Sequence, residues 1–134
     1  MKDLELMRMA EAAREHAYAP YSHFCVGAAL LTASGKVYTG CNVENAAFTP
    51  TNCAERTAFF KAVSEGEREF VAIAVTGGKA GDAPRFCAPC GVCRQVMLEF
   101  CGGDFRVLLG NAAAFEAFTL DALVPHSFGA EDMT

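Results

Sequence analysis

Apolar and polar positions change period several times along the chain, and each change marks an element. From about Asp3 to Tyr18, Leu4, Met7, Ala10, Ala13 and Ala17 recur near helical spacing among good helix formers, which predicts an opening helix ended by Pro20. Phe24 to Thr32 is an apolar, strand-like run, and Ala33-Ser34-Gly35-Lys36 predicts a turn into a second strand, Val37 to Asn42. Val43 to Asn52 is polar and contains Pro50, so it reads as a loop before a helix from about Asn52 to Ser64, closed by Gly66. Phe70 to Thr76 is continuously apolar, the pattern of a strand covered on both faces. Gly77 to Pro89 reads as a loop, Cys90 to Phe100 as a helix closed by Gly102-Gly103, and Phe105 to Leu109 as a strand. Phe115 to Phe118 is a candidate fifth strand, and Thr119 caps a short helix to Leu123. The order of elements predicts a mixed α/β layer arrangement in one domain over residues 1–134, without repeats or linkers.

Composition changes this picture in two ways. The chain is 52% hydrophobic and only 20% charged, yet contains no apolar run long enough for a transmembrane helix, so no membrane partner is expected. Such an apolar excess in a small chain predicts homo-oligomerisation, other copies covering part of the surface. The start, MKDLELMRMAEAAREHA, mixes charges of both signs and lacks the apolar core of a signal peptide. Seven cysteines, an odd count without a secretory signal, then place the protein in a reducing, cytoplasmic setting with thiols used as metal ligands or core residues. With a net charge of −5 and no basic stripe, a nucleic acid held along its backbone is disfavoured. The expected partner is a small, weakly charged molecule.

Cys90-Gly91-Val92-Cys93 is a C-x-x-C at a predicted helix start, directly after Pro89. Two thiols three residues apart on a first helical turn share a face, and the free N–H groups there favour their ionised form. Redox pairs and structural zinc sites use the same spacing. The discriminating partner is Cys53, also at a predicted helix start and followed two residues later by Glu55. If both helices aim their N-termini at one spot, three thiolates meet a Zn²⁺ and leave a fourth position open, as a catalytic zinc requires. The metal lowers the pKa of water to roughly 7, and Glu55 is placed to carry the proton to a substrate. Three thiolates leave the metal a poor acid. Arg56 and Arg94, each one residue beyond Glu55 or Cys93, are candidates to hydrogen-bond the sulfurs and draw charge away. Two further readings stay open: Cys87, Cys90 and Cys93 have the spacing of an iron–sulfur run that Cys53 completes from a distance, and Cys87 or Cys101 can close a structural zinc. Neither accounts for Glu55.

Cys53-Ala54-Glu55-Arg56 followed by Pro89-Cys90-Gly91-Val92-Cys93-Arg94-Gln95 resembles the cytidine deaminase family. The likeness extends through Phe24, Val26-Gly27-Ala28, Gly40 and Asn42-Val43-Glu44-Asn45, and so spans nearly the whole chain. It implies a three-layer α/β/α sandwich around a five-stranded mixed sheet, in the short subtype with three cysteine ligands, one zinc per subunit and a homotetrameric assembly. The implied reaction is hydrolytic deamination of cytidine and 2′-deoxycytidine to the uridines with release of ammonia, a step of pyrimidine salvage. By the same resemblance Asn42 and Glu44 hold the ribose, a role an amide and a carboxylate suit. Phe24 packs on the base, the Ala54 N–H meets the pyrimidine carbonyl, and Phe128 closes a neighbouring subunit's site. One position departs from the family: Phe48 stands where a tyrosine is usual. His16, His23 and His126 read as surface or structural residues, Asn52 as a helix cap, and Cys25 and Cys41 as buried thiols.

Overall fold

The structure, a computed structural model, describes residues 1–134. Its elements are α1 (Asp3–Arg14), β1 (Phe24–Thr32), β2 (Val37–Cys41), α2 (Ala54–Ser64), β3 (Phe70–Lys79), α3 (Gly91–Phe100), β4 (Arg106–Gly110), β5 (Phe115–Thr119) and α4 (Leu120–Leu123), followed by a 3₁₀ turn, Ala130–Met133. The strands lie in the order β2-β1-β3-β4-β5. Only β3 and β4 run parallel, joined through α3, and the other neighbours are antiparallel. This is the mixed five-stranded sheet expected.

Side chains alternate across a strand, so the apolar runs feed two cores at once. Ala28, Leu30, Ile73, Val75, Val107 and Leu109 join Ala58 and Phe59 of α2, Met97 of α3 and Leu120 of α4 on one face. Ala29, Ala72, Ala74 and Leu108 meet Leu6, Met7 and Ala10 of α1 on the other. Three layers result. Phe59, only 1% exposed, packs against Phe70, Phe105 and Phe100 at 5.1, 6.0 and 6.2 Å between ring centroids. Truncating such a ring to alanine costs about 3–5 kcal/mol, so α2 is firmly pinned to the sheet. No helix is long and apolar enough to cross a membrane.

Two boundaries differ from the expectation. The opening helix ends at Arg14, where the N–H groups of Glu15, His16 and Ala17 bond back three residues instead of four, and the Arg14 guanidinium turns into the fold to donate to the carbonyls of Cys25 (2.9 Å), Gly78 (3.0 Å) and Lys79 (2.8 Å). Strand β3 continues past Thr76, with Gly77, Gly78 and Lys79 paired to Val26, Cys25 and Phe24. Here glycine serves close approach, not chain breaking. A Cβ on Gly77 would stand 3.0 Å from the Cys87 sulfur and 3.1 Å from the Phe24 ring, while Gly77 and Arg85 exchange backbone hydrogen bonds across the returning loop. Gly40 does the same for α2: a Cβ there would lie 2.4 Å from the Ala54 carbonyl oxygen. The helix start is thereby laid directly on β2. Cys25 on β1 and Cys41 on the edge strand β2, expected to be buried, are half-buried.

Candidate active site

Both metal-ligand helices begin as the spacing predicts. Cys53 is the N-cap residue of α2 and Cys90 that of α3, each with extended backbone, and Cys93 lies in the first turn of α3. The Cys90 sulfur accepts from the Cys93 N–H at 3.5 Å, which turns the thiol back over the helix end. The expected cap at Asn52 is corrected: its amide donates to the Thr57 hydroxyl at 3.3 Å, and its backbone pairs with Val43. Cys53 holds the cap position instead.

The sulfurs of Cys53, Cys90 and Cys93 lie within 4.8 Å of one another. Cys53 and Cys90 are 3.7 Å apart, close to the roughly 3.8 Å between two ligands of a tetrahedral zinc with bonds of about 2.3 Å. Three soft donors at this separation fit that ion. Cys87 and Cys101 stand outside the group, Cys101 at the far end of α3, so the iron–sulfur run loses Cys87 and the closed structural zinc loses its fourth ligand. The thiols share protons unequally. Cys53 is held down to about 5, first by a hydrogen bond from Cys93 and then by the Arg56 guanidinium, whereas Cys93 is pushed up by keeping the proton it offers Cys53. A ready thiolate is the form in which cysteine takes a metal.

The Arg56 Nη2 donates to the Cys53 sulfur at 3.2 Å. Its Nε is buried and has no partner among the residues around it. The expectation for Arg94 is corrected. Its Nε donates to the Pro89 carbonyl at 2.8 Å and its Nη1 to the Leu123 carbonyl at 2.7 Å, so it braces the turn before Cys90 against α4 and does not touch a sulfur. One step along a helix rotates a side chain by about 100°, which carries Arg94 off the cysteine face.

Beside the sulfurs is a cavity of about 320 Å³. Phe24, Asn42, Glu44, Ala54 and Glu55 all line it, together with Cys53 and Cys90. Glu55 is 4% exposed, and burial pushes its carboxyl up to about 7. Asn42 is locked by β1: its Oδ1 accepts from the Val26 N–H and its Nδ2 donates to the Phe24 carbonyl, both at 2.8 Å. Ser22, Thr51 and Cys87 also line the cavity, and the sequence reading missed them because an isolated hydroxyl or thiol in a loop carries no periodic signal. Burial pushes the Cys87 thiol up to about 11, so it stays protonated in the wall. A second hollow of about 300 Å³ adjoins at Ser22, Glu44 and Thr51 and is bounded by Tyr21 and Phe48. Phe48 is 71% exposed, with a left-handed φ of 63° and its ring edge-on to Tyr21 at 6.4 Å. Phe128 is 60% exposed and outside this cavity, its carbonyl accepting from Gln95. His16, His23 and His126 are exposed.

Residues 1–109, which hold every ligand and cavity residue just described, match the family described as the cytidine and deoxycytidylate deaminase zinc-binding region. The chain belongs to this family. A cytidine deaminase of Sporosarcina psychrophila is 50% identical over 131 residues, 97% of this chain and 93% of that protein. One from Halalkalibacterium halodurans is 54% identical over 129 residues, 96% of this chain and 95% of that protein. The crystal structure of cytidine deaminase from Burkholderia pseudomallei superposes with a TM-score of 0.87 at 50% identity, covering 96% of this chain and all of that one. The cytidine deaminase fold is thus shared over nearly the full length, and the family is a zinc-binding one, in keeping with the three-cysteine cluster.

Proposed function

We propose that the chain, as one domain over residues 1–134, catalyses the hydrolytic deamination of cytidine and 2′-deoxycytidine, releasing ammonia and leaving uridine or 2′-deoxyuridine. The observation that carries this reading is that a buried, proton-exchanging carboxyl, Glu55, and two of three converging thiols face one nucleoside-sized cavity. Cys53, Cys90 and Cys93 hold the zinc. When bound, zinc supplies a Lewis acid that eases the ionisation of water. Glu55 takes one proton from the attacking water and delivers it to the ring nitrogen beside C4, then takes the remaining proton from the new C4 hydroxyl and passes it to the amino group, so that the C4–N bond breaks, ammonia departs and the C4 carbonyl forms. A carboxyl near neutrality suits both directions of transfer.

The other residues bind and orient. Phe24 packs on the base, the Ala54 N–H meets the pyrimidine carbonyl, and Asn42 and Glu44 take the ribose hydroxyls. Arg56 stabilises the Cys53 thiolate, which its contact with that sulfur supports. Phe128 reaches a neighbouring copy's cavity in a homotetramer, a reading supported by its exposure and by the apolar side chains Phe60 and Val92 left uncovered on α2 and α3. No basic stripe offers a nucleic acid a track, and the odd set of free thiols supports a cytoplasmic setting. Metal analysis of the purified protein, combined with the absorbance change on mixing with cytidine, tests the whole reading. About one zinc per chain with cytidine consumed is expected, and zinc-loaded protein inert toward cytidine overturns it.

A further inference from the structure

Glu44 leaves the edge of β2 on an open loop, where a glutamate with free torsions would have to be ordered each time a ligand bound. Here it is already held. Its Oε1 accepts from the backbone N–H groups of Tyr21 (3.0 Å) and Ser22 (3.1 Å), and its Oε2 accepts from the Ser22 hydroxyl. The direction of that last bond is fixed by counting. A serine hydroxyl has one hydrogen, and its oxygen already accepts from the Phe24 N–H at 3.0 Å, so the hydrogen goes to Glu44. Ser22 therefore links the first residue of β1, whose ring lines the base side of the cavity, to the carboxylate on the sugar side. Both hollows meet at this pair.

A carboxylate offers about four acceptor sites, two on each oxygen. Three are filled by protein donors, and the vacant one is on Oε2. We infer that Ser22 is a positioning residue for the substrate's sugar, its hydroxyl fixing the Glu44 oxygen that accepts a ribose hydroxyl at a set distance from Phe24. This rests on the reading of Glu44 as a ribose contact. Ser22 has no donor left for the substrate and acts through Glu44. Its hydrogen bond also holds the Glu44 carboxyl below the ordinary carboxylate range, which keeps it an acceptor.

The test uses zinc-loaded protein and measures KM and kcat for cytidine and for 2′,3′-dideoxycytidine, which lacks both ring hydroxyls. Ser22→Ala is expected to raise KM for cytidine about tenfold, the usual loss for a hydrogen bond to a charged group. Its kcat should stay within about twofold, since only binding is affected. Ser22→Thr, which keeps the hydroxyl, should recover most of the affinity, and with the dideoxy substrate the alanine effect should vanish. A merely structural role would instead lower zinc content or melting temperature and weaken both substrates alike, which overturns the proposal. Should the alanine variant fail to fold, Ser22→Cys preserves the shape with a weak donor, and an unchanged KM there overturns it too. Glu44→Ala separates the two failures. A raised KM in Glu44→Ala with none in Ser22→Ala removes the role of Ser22 alone, whereas no effect of Glu44→Ala removes the ribose contact and the proposal with it.

Discussion

At the metal end of the cavity, Ala54, Cys93 and Glu55 are 0%, 1% and 4% exposed and stand in the first turns of two helices packed on the sheet. At the sugar end, Tyr21 and Phe48 are 51% and 71% exposed on loops, and two loop residues, His23 and Phe48, carry left-handed φ values of 57° and 63°. The first end derives its rigidity from the core, with Gly40 laying α2 on β2 and the Phe59 cluster pinning it there. The second derives its rigidity from backbone and side-chain hydrogen bonds through Glu44, Asn42 and Ser22. Bond-making chemistry tolerates little displacement, whereas sugar recognition tolerates a surface loop if its polar groups are tied. The division predicts that substitutions at the metal end act on metal content and turnover, and those at the sugar end on affinity.

The largest effect is expected from Cys93→Ala. Losing a buried ligand should take zinc from about one per chain to near none, abolish turnover and lower the melting temperature, as metal analysis and thermal unfolding will show. Full zinc occupancy in that variant would break the comparison at its firmer end. Glu55→Gln should keep zinc and the fold while turnover falls by about 10²–10⁴, the usual contribution of a general acid–base group. Near-normal kcat would remove Glu55 from the mechanism. Asn42→Ala forfeits two hydrogen bonds to β1 and its contact with the sugar, so KM for cytidine should rise about tenfold or more with a smaller change in kcat. An equal fall in kcat with unchanged KM would erase the distinction between the ends. Phe48→Tyr restores the family's usual residue at a position already 71% exposed. Its hydroxyl reaches solvent, so kcat and KM should each move by less than about twofold, and a larger shift would place that hydroxyl in the sugar site.

The sheet and the metal centre were the legible parts of the sequence. The apolar runs at Phe24–Thr32 and entering β3 report burial that the structure reproduces, and Phe115–Phe118 marks a strand that the structure places at the sheet edge. C-x-x-C and Cys53-Ala54-Glu55 are legible because helix starts convert spacing into direction. What failed depended on neighbours distant in sequence. Gly77 and Gly78 look like a loop until Cys87 and Phe24 are seen to crowd the first, and the Ala83 carbonyl and Arg14 guanidinium the second. Arg94 sits beside a ligand in sequence but points to Pro89 and Leu123 in space. Ser22 is one hydroxyl in a turn, and only its partners give it meaning. The roles of Phe24, Asn42, Glu44 and Phe128 came from resemblance alone. The structure gathers the first three in one cavity and leaves Phe128 outside it.

The placement of β3 between the two sets of ligands has a consequence for how the protein is made. Cys53 precedes β3 and Cys90 follows it, 37 positions later. At roughly 5–20 residues per second on the ribosome, Cys53 waits some seconds before Cys90 is synthesised. The parallel partner β4 arrives later still, and pairing through a crossover cannot precede the crossover itself. A centre that needs all three sulfurs therefore cannot close until the whole of β3 has been made.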